Sequence, residues 1–135
     1  MLHALSRMLH TDLSASSAHM EKKGSDPTST PIAKLTKNLA AVDSSDYRTR
    51  VVLLSTGSLN PVHVMHRNIL ESAKKQLEAS GRHIVVAGYL SPSHFDYVSS
   101  KLGKEALSAH HRLEMARLAV ADSAWLDVDP WEAVQ

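Results

Sequence analysis

The amino-acid sequence predicts an α/β fold in which a Rossmann-like parallel sheet is flanked by helices. Short apolar runs alternate with segments whose apolar residues recur at helical spacing, in the order strand, helix, strand, helix, strand. Strands that are each separated by a helix pair in parallel through right-handed crossovers. This order is the first β-α-β-α-β half of a doubly wound sheet, and its first strand lies where the strand order would reverse.

The first strand and the first helix of this pattern enclose a turn. Val51–Leu54 is a uniformly apolar run, as expected for a strand buried on both faces. Residues 55–61 are rich in turn formers. Gly81 is well placed to end the helix that follows, whose apolar face consists of Met65, Ile69, Leu70, Ala73 and Leu77.

The second half of the pattern repeats this arrangement. Ile84–Leu90 predicts a second buried strand, and residues 91–107 predict a polar loop. Ser108 can cap a second helix, because its hydroxyl can accept a hydrogen bond from the first turn. The apolar face of that helix consists of Leu113, Ala116 and Val120. Trp125–Asp129 predicts a third strand that Pro130 stops.

Residues 1–49 differ in composition from the rest and predict a flexible, Ser/Thr-rich extension. Within it, residues 31–42 have apolar residues at helical spacing, which predicts a short amphipathic helix that docks on the domain. Residues 1–10 contain Arg7 and no acid, which resembles an organellar transit peptide. A plain extension without targeting is the alternative. Residues 50–135 are predicted to form the N-terminal part of a domain.

Composition excludes several classes of function. The 135 residues suffice for about one domain, and the net charge of +1 gives no reason to expect nucleic acid or an acidic membrane as partner. Because the sequence has no cysteine, disulfides, thiolate metal sites and a cysteine nucleophile are excluded. No apolar run approaches the ~20 residues that span a bilayer. An intracellular location fits the absence of cysteine.

The turn after the first strand has the chemistry of a phosphate site. Gly57 lets a phosphate approach the backbone, and free N–H groups at the start of the next helix favour an anion. His63 and His66 are three residues apart at that helix start, so both imidazoles can face one phosphate. This spacing is also found in metal sites, but no third or fourth ligand is identifiable. A purely structural turn is the other alternative.

The residues from Gly57 to His66 resemble the GSFNPxTxxH signature of the eukaryotic nicotinamide/nicotinate mononucleotide adenylyltransferases, which belong to the nucleotidyltransferase superfamily with an [HT]xxH motif. Later segments resemble further signatures of that family, in order and at similar spacing. These segments are Ser91-Pro92 with Tyr97, His111-Arg112 with Met115, and residues 128–132. The resemblance covers about residues 50–135.

The resemblance implies adenylyl transfer from ATP to nicotinamide or nicotinate mononucleotide (NMN), which gives the dinucleotide and pyrophosphate without a covalent intermediate. Mg²⁺ would arrive with ATP, and the protein would hold no dedicated metal site. The implied catalytic residues are His66 and His63. The implied contacts to ATP phosphates are Gly57, Ser58, Leu59 and Asn60. The implied substrate contacts are Tyr97 and Lys101, with Lys104 as second choice for the lysine.

The sequence departs from the family at one lysine and in one later signature. Ser99 stands where the family has its lysine, so Lys101 is assigned only by proximity. Trp131 is interpreted as a residue that packs at a strand end. A second signature, Ser-Ser-Thr-x-x-Arg, has no counterpart, so we expect only the N-terminal half of the domain, truncated at its C-terminus.

Two alternative functions remain open, of which the missing signature favours the first. The first is an inactive fragment with residual nucleotide binding. The second is another enzyme of the superfamily, such as a cytidylyltransferase or a phosphopantetheine adenylyltransferase. The family resemblance also allows a homo-oligomer. It favours the nucleus or cytoplasm, with the mitochondrion as the alternative location.

Overall fold

A computed structural model describes residues 29–135, and the predicted transit-like segment at residues 1–10 lies outside this range. Four α-helices occur in the described part: α1 (Ala33–Ala41), α2 (Val64–Ala79), α3 (Phe95–Leu102) and α4 (Ala109–Ala119). They alternate with the strands β1 (Thr49–Gly57), β2 (His83–Pro92) and β3 (Leu126–Val128). Two short 3₁₀ helices span Gly103–Glu105 and Glu132–Val134.

The strands of the described part form a parallel sheet in the order β1-β2-β3, which confirms the predicted fold class. The register of β1 and β2 runs from Thr49↔His83 to Gly57↔Pro92 and shifts between Val51 and Val52. β3 pairs with β2 only over Gly88–Leu90. Because all three strands are parallel, their carboxyl ends lie at one edge of the sheet.

The core lies between the sheet and the helices α2 and α4. Alternate residues of each strand point into it, because side chains of a strand alternate between the two faces. Gly88 is needed in this layer, since a Cβ there would lie 2.6 Å from the Trp125 ring. The main buried residues of the core are Leu53, Leu70, Val85, Leu90, Leu113, Ala116, Val120, Leu126 and Val128.

The second face of the sheet is only partly covered, so the prediction that Val51–Leu54 is buried on both faces was wrong. Val52 and Leu54 are 46% and 48% exposed. The reason is the position of α1, which contacts β2. The Asn38 amide donates to the carbonyls of Val86 at 2.9 Å and Ala124 at 3.2 Å. The helix therefore covers the second and third strands and leaves the first exposed on that face.

The helix predicted within residues 31–42 is present as α1. Lys34 Nζ donates to the Leu126 carbonyl at 2.6 Å, and the Tyr89 hydroxyl donates to the Pro31 carbonyl at 2.8 Å. Before the helix, the Thr30 hydroxyl donates to Asp129 Oδ1 at 2.7 Å. Side-chain hydrogen bonds to distant strands thus attach the segment to the sheet.

The loop predicted for residues 91–107 was also wrong, because α3 and a 3₁₀ helix occupy most of it. His94 Nδ1 accepts a hydrogen bond from the Asp96 N–H at 3.2 Å, so a histidine caps α3. Val98 is fully buried, and Gly103 at φ +57° ends the helix. The helical spacing of Phe95, Val98 and Leu102 was the signal that the prediction missed.

The predicted helix ends were correct. Ser108 Oγ accepts from the His111 N–H at 3.3 Å, and Gly81 follows α2 with φ +68°. Between residues 29 and 135, no helix is both long and apolar enough to cross a bilayer.

Candidate functional site

The loop that follows β1 has a strained but well-anchored backbone. Leu59 has φ +44°, a conformation that non-glycine residues adopt rarely and at a cost. Its side chain is only 2% exposed and belongs to the core. The Gly57 carbonyl accepts a hydrogen bond from the Ser93 N–H at 2.9 Å, which joins the ends of β1 and β2. Burial of the Leu59 side chain therefore contributes to holding the loop in this unfavourable backbone conformation.

The predicted phosphate-binding residues of this loop have different surroundings. Gly57 has open space where a Cβ would be, with no atom within 4 Å. Ser58 is half-buried, and its carbonyl faces inward to accept from Arg112. Asn60 uses both ends of its side chain within the protein: Nδ2 donates to the Glu105 carbonyl at 2.9 Å, and Oδ1 accepts from the Leu107 N–H at 2.7 Å. Asn60 therefore fixes the loop.

The two predicted catalytic histidines lie side by side at the start of α2. Their ring centroids are 3.8 Å apart, with 37° between the ring planes. His66 Nδ1 accepts a hydrogen bond from the His63 N–H at 3.0 Å. Because an accepting ring nitrogen carries no proton, the proton of the neutral imidazole must be on Nε2. The hydrogen bond thus fixes both the tautomer and the orientation of His66.

The neutral form of His66 is favoured. Burial lowers the pKa of His66 below its ordinary value, and the charge of His63 lowers it further. A neutral ring with its proton on Nε2 is a hydrogen-bond donor, and the free N–H groups of the helix N-terminus add partial positive charge. The arrangement suits an anion. The described residues contain no group of three or more His, Cys, Asp or Glu that could hold a metal ion.

The two predicted substrate-binding residues lie on α3 at the same edge of the sheet. Tyr97 is 57% exposed, and Lys101 is exposed in the last turn of the helix. They are four residues apart, so they share one side of α3. In the described part of the chain their side chains make no hydrogen bond to the histidines or to the loop. Lys104, the second choice, lies in the following 3₁₀ helix. The assignment of these residues stays a prediction.

Trp131 was interpreted as packing at a strand end, but it is 58% exposed. It follows Asp129, whose Oδ2 accepts from the Ser91 hydroxyl at 3.1 Å. Asp129 Oδ1 accepts from the Trp131 N–H at 3.3 Å. The packing interpretation of Trp131 was therefore wrong, since more than half of the residue is exposed.

Arg112 is a site residue to which the sequence analysis gave no role. The side chain is fully buried, with Nη1 donating to the Ser58 carbonyl at 2.9 Å and Nε to the Leu107 carbonyl at 3.1 Å. Burial lowers the pKa of its guanidinium, and the charge of Glu132 opposes this. The signal was present in the sequence, since Arg112 belongs to one of the segments that resemble a family signature.

A cavity of about 410 Å³ lies at the opposite, amino end of the strands. Its charged groups are paired with one another: Arg48 with Asp46 at 2.6 Å, and Lys74 with Glu78. Asp43 Oδ1 accepts hydrogen bonds from the backbone and hydroxyl of Ser45. Because its polar groups already have protein partners, this cavity offers little to a ligand.

Comparison with known proteins connects the loop and its surroundings to a family. The family model described as cytidylyltransferase-like matches residues 54–135. Over 89 residues the chain is 44% identical to nicotinamide/nicotinic acid mononucleotide adenylyltransferase 2 of Xenopus tropicalis. It is 41% identical over 88 residues to adenylyltransferase 1 of Bos taurus, and 40% identical over 105 residues to the adenylyltransferase of Arabidopsis thaliana. These identities confirm the resemblance to mononucleotide adenylyltransferases.

The matches cover much of this chain but a small part of each relative. The Xenopus match spans 65% of this chain and 27% of the relative, and the Bos match spans 65% and 30%. The Arabidopsis match spans 78% of this chain and 40% of the relative. The chain thus matches between about a quarter and two fifths of the length of these relatives.

Proposed function

The chain belongs to the cytidylyltransferase-like family, and on this premise we propose that it binds ATP at the loop Gly57–His66 for adenylyl transfer to nicotinamide or nicotinate mononucleotide. The products are NAD, or its deamido form, and pyrophosphate. The relatives at 40–45% identity carry the names of enzymes that act on these mononucleotides. An intracellular location and a homo-oligomeric state remain predictions.

One observation carries the proposal: His66 presents a fixed Nε2–H donor at the start of α2, beside the loop that follows β1. In the reaction, an oxygen of the mononucleotide 5′-phosphate attacks the α-phosphorus of ATP in line. The bond to the β-phosphate bridging oxygen breaks, and pyrophosphate leaves with that electron pair. The His66 Nε2–H donates to a non-bridging α-oxygen, which gains charge in the transition state.

The donors at this loop fit the phosphates of the nucleotide and not a cation. Residues 57–66 include no carboxylate. Mg²⁺ would therefore bind the oxygens of ATP, where it neutralises charge on the leaving pyrophosphate. The protein contributes the backbone N–H groups at the start of α2 and the donor of His66.

We assign the mononucleotide to the side of the site that α3 forms. Tyr97 and Lys101 are exposed on one side of this helix, which follows the carboxyl end of β2. A tyrosine ring can stack on the base, and a lysine can pair with the 5′-phosphate. These two residues supply the substrate contacts in the proposal.

The alternative function is nucleotide binding without turnover by this polypeptide. The family description also keeps cytidylyl transfer open as a second chemistry. A panel of ATP and CTP with NMN, nicotinate mononucleotide and phosphopantetheine separates these reactions through the product that accumulates.

The proposed function is tested by titrating the 135-residue chain with MgATP in a calorimeter and by assaying NAD formation. We expect His66→Ala to weaken ATP binding at least about tenfold, because a hydrogen bond to a charged phosphate is lost. His110→Ala is the matched control, since His110 is an exposed histidine of α4. ATP binding that is equal in both variants, or absent from the unmodified chain, would contradict the proposal. NAD formation decides between the enzyme and the binding fragment.

A further inference from the structure

We propose that Arg112 and Asn60 form a clasp that positions the phosphate-binding loop, with Arg112 as the residue on which the loop conformation chiefly depends. The clasp is defined as these two side chains together with the backbone groups that they bind. The functional consequence of the clasp is tighter ATP binding, and this part rests on the proposed function. The structural part of the inference can be tested without nucleotide.

Arg112 connects two segments that are far apart in sequence. From the first half of α4, Nη1 donates to the Ser58 carbonyl at 2.9 Å and Nε donates to the Leu107 carbonyl at 3.1 Å. The guanidinium is planar and rigid, so two bonds from one group fix both the distance and the angle between the segments. Lysine could make one of these bonds at a time.

Asn60 makes the second connection between the same two segments. Its Nδ2 donates to the Glu105 carbonyl at 2.9 Å, and its Oδ1 accepts from the Leu107 N–H at 2.7 Å. Leu107 is therefore held on both sides, with its N–H bound by Asn60 and its carbonyl bound by Arg112. The loop and residues 105–107 move as one unit.

The clasp holds the residues on either side of the strained position. Leu59 has φ +44°, its neighbour Ser58 is held by Arg112, and its neighbour Asn60 is held by Glu105 and Leu107. A leucine persists in this conformation only where the surroundings over-determine it. If the clasp is opened, Leu59 can relax to an ordinary φ, which turns the N–H groups of the loop away from a phosphate.

The burial of Arg112 argues against a purely structural role. A fully buried guanidinium without a hydrogen-bonded carboxylate is costly, and burial lowers its pKa. Among the described residues Nη2 has no hydrogen-bond partner at all. An apolar side chain would fill this volume at lower cost. The guanidinium is retained because it holds two carbonyls and places positive charge behind a loop that receives an anion.

The experiment compares Arg112→Met and Arg112→Lys with Arg117→Met, which removes an exposed arginine from the same helix. NMR amide exchange of the nucleotide-free chain is followed at Leu107, together with ATP affinity and Tm. Leu107 is the direct probe, because its N–H is bound by the clasp itself. We expect Arg112→Met to accelerate exchange at this amide at least about tenfold and to weaken ATP binding about tenfold, with Arg112→Lys intermediate.

Two results would overturn the clasp. One is unchanged exchange at the Leu107 amide in Arg112→Met. The other is an acceleration of amide exchange throughout β2 and α4 that is as large as the acceleration at Leu107, because such a uniform increase marks a loss of global stability. If Arg112→Met does not fold, Asn60→Ala decides: Leu107 exchange should rise while β2 remains protected, and unchanged Leu107 exchange would reject the proposal. Failure of the unmodified chain to bind ATP overturns the proposed function, and the exchange data still test the clasp.

Discussion

The two ends of the sheet use their polar groups in opposite ways. At the amino end, the charged groups that line the cavity bind one another, as in the pairs Arg48–Asp46 and Lys74–Glu78. At the carboxyl end, the half-buried His66 presents Nε2 with no hydrogen-bond partner in the described part of the chain. The strained Leu59 also lies at this end.

From this difference we expect a ligand to bind at the carboxyl end, where hydrogen-bonding capacity is open, and not in the cavity at the amino end. The polar groups that line the cavity of about 410 Å³ already have partners within the protein, so few donors are left for a ligand. Unpaired donors and backbone strain carry a cost in free energy of unfolding. They concentrate where a ligand can supply the missing partner. Variants at the two ends should therefore separate stability from binding.

The largest effect on stability is expected at Leu59, which belongs to both the loop and the core. Leu59→Ala should lower the free energy of unfolding by about 2–4 kcal/mol, because it removes most of a buried side chain. Leu59→Gly should be no less stable than the alanine variant, since glycine adopts φ +44° without strain. Urea unfolding measures both. If Leu59→Gly is less stable than Leu59→Ala by the usual ~1 kcal/mol, the backbone at this position is unstrained.

A smaller effect is expected at Glu78, at the amino end. Its Oε1 accepts from the Val85 N–H at 3.0 Å and from Lys74. Glu78→Gln keeps an acceptor but loses the charge, so it should cost about 0.5–1.5 kcal/mol in urea unfolding. ATP affinity, measured by calorimetry, should stay within about twofold of the unmodified value. A tenfold loss of affinity would break the contrast between the two ends.

The smallest effect is a pH dependence at His66. Burial holds the pKa of His66 below its ordinary value of 6.5, so the folded state prefers the neutral ring. The contribution of His66 to stability is therefore full above pH 6.5 and is lost as the pH falls through its folded-state pKa. Compared with His66→Gln, the unmodified chain should lose stability between pH 7.5 and pH 5. A constant difference between the two chains would contradict the lowered pKa.

Much of the fold followed from local patterns in the sequence. The apolar runs and helical spacing predicted the parallel sheet, and the caps at Ser108 and Gly81 were predicted correctly because a cap depends on neighbouring residues. Helix α3 was not predicted, because its N-cap is a histidine and its buried face consists largely of Val98. It also misjudged the burial of Val52 and Leu54, because which face α1 covers depends on contacts with distant strands.

For the site, the sequence alone determined the type of chemistry. The motif from Gly57 to His66 after an apolar strand predicted an anion site, and the motif residues identified the family. Only the tertiary structure decided how these residues are used. It turned the Asn60 side chain toward the protein, fixed the proton of His66 on Nε2, and brought Arg112 against Ser58 from 54 residues away in sequence. Residue type and spacing set what a group can donate or accept, whereas its partner depends on contacts between distant segments that form only in the folded chain.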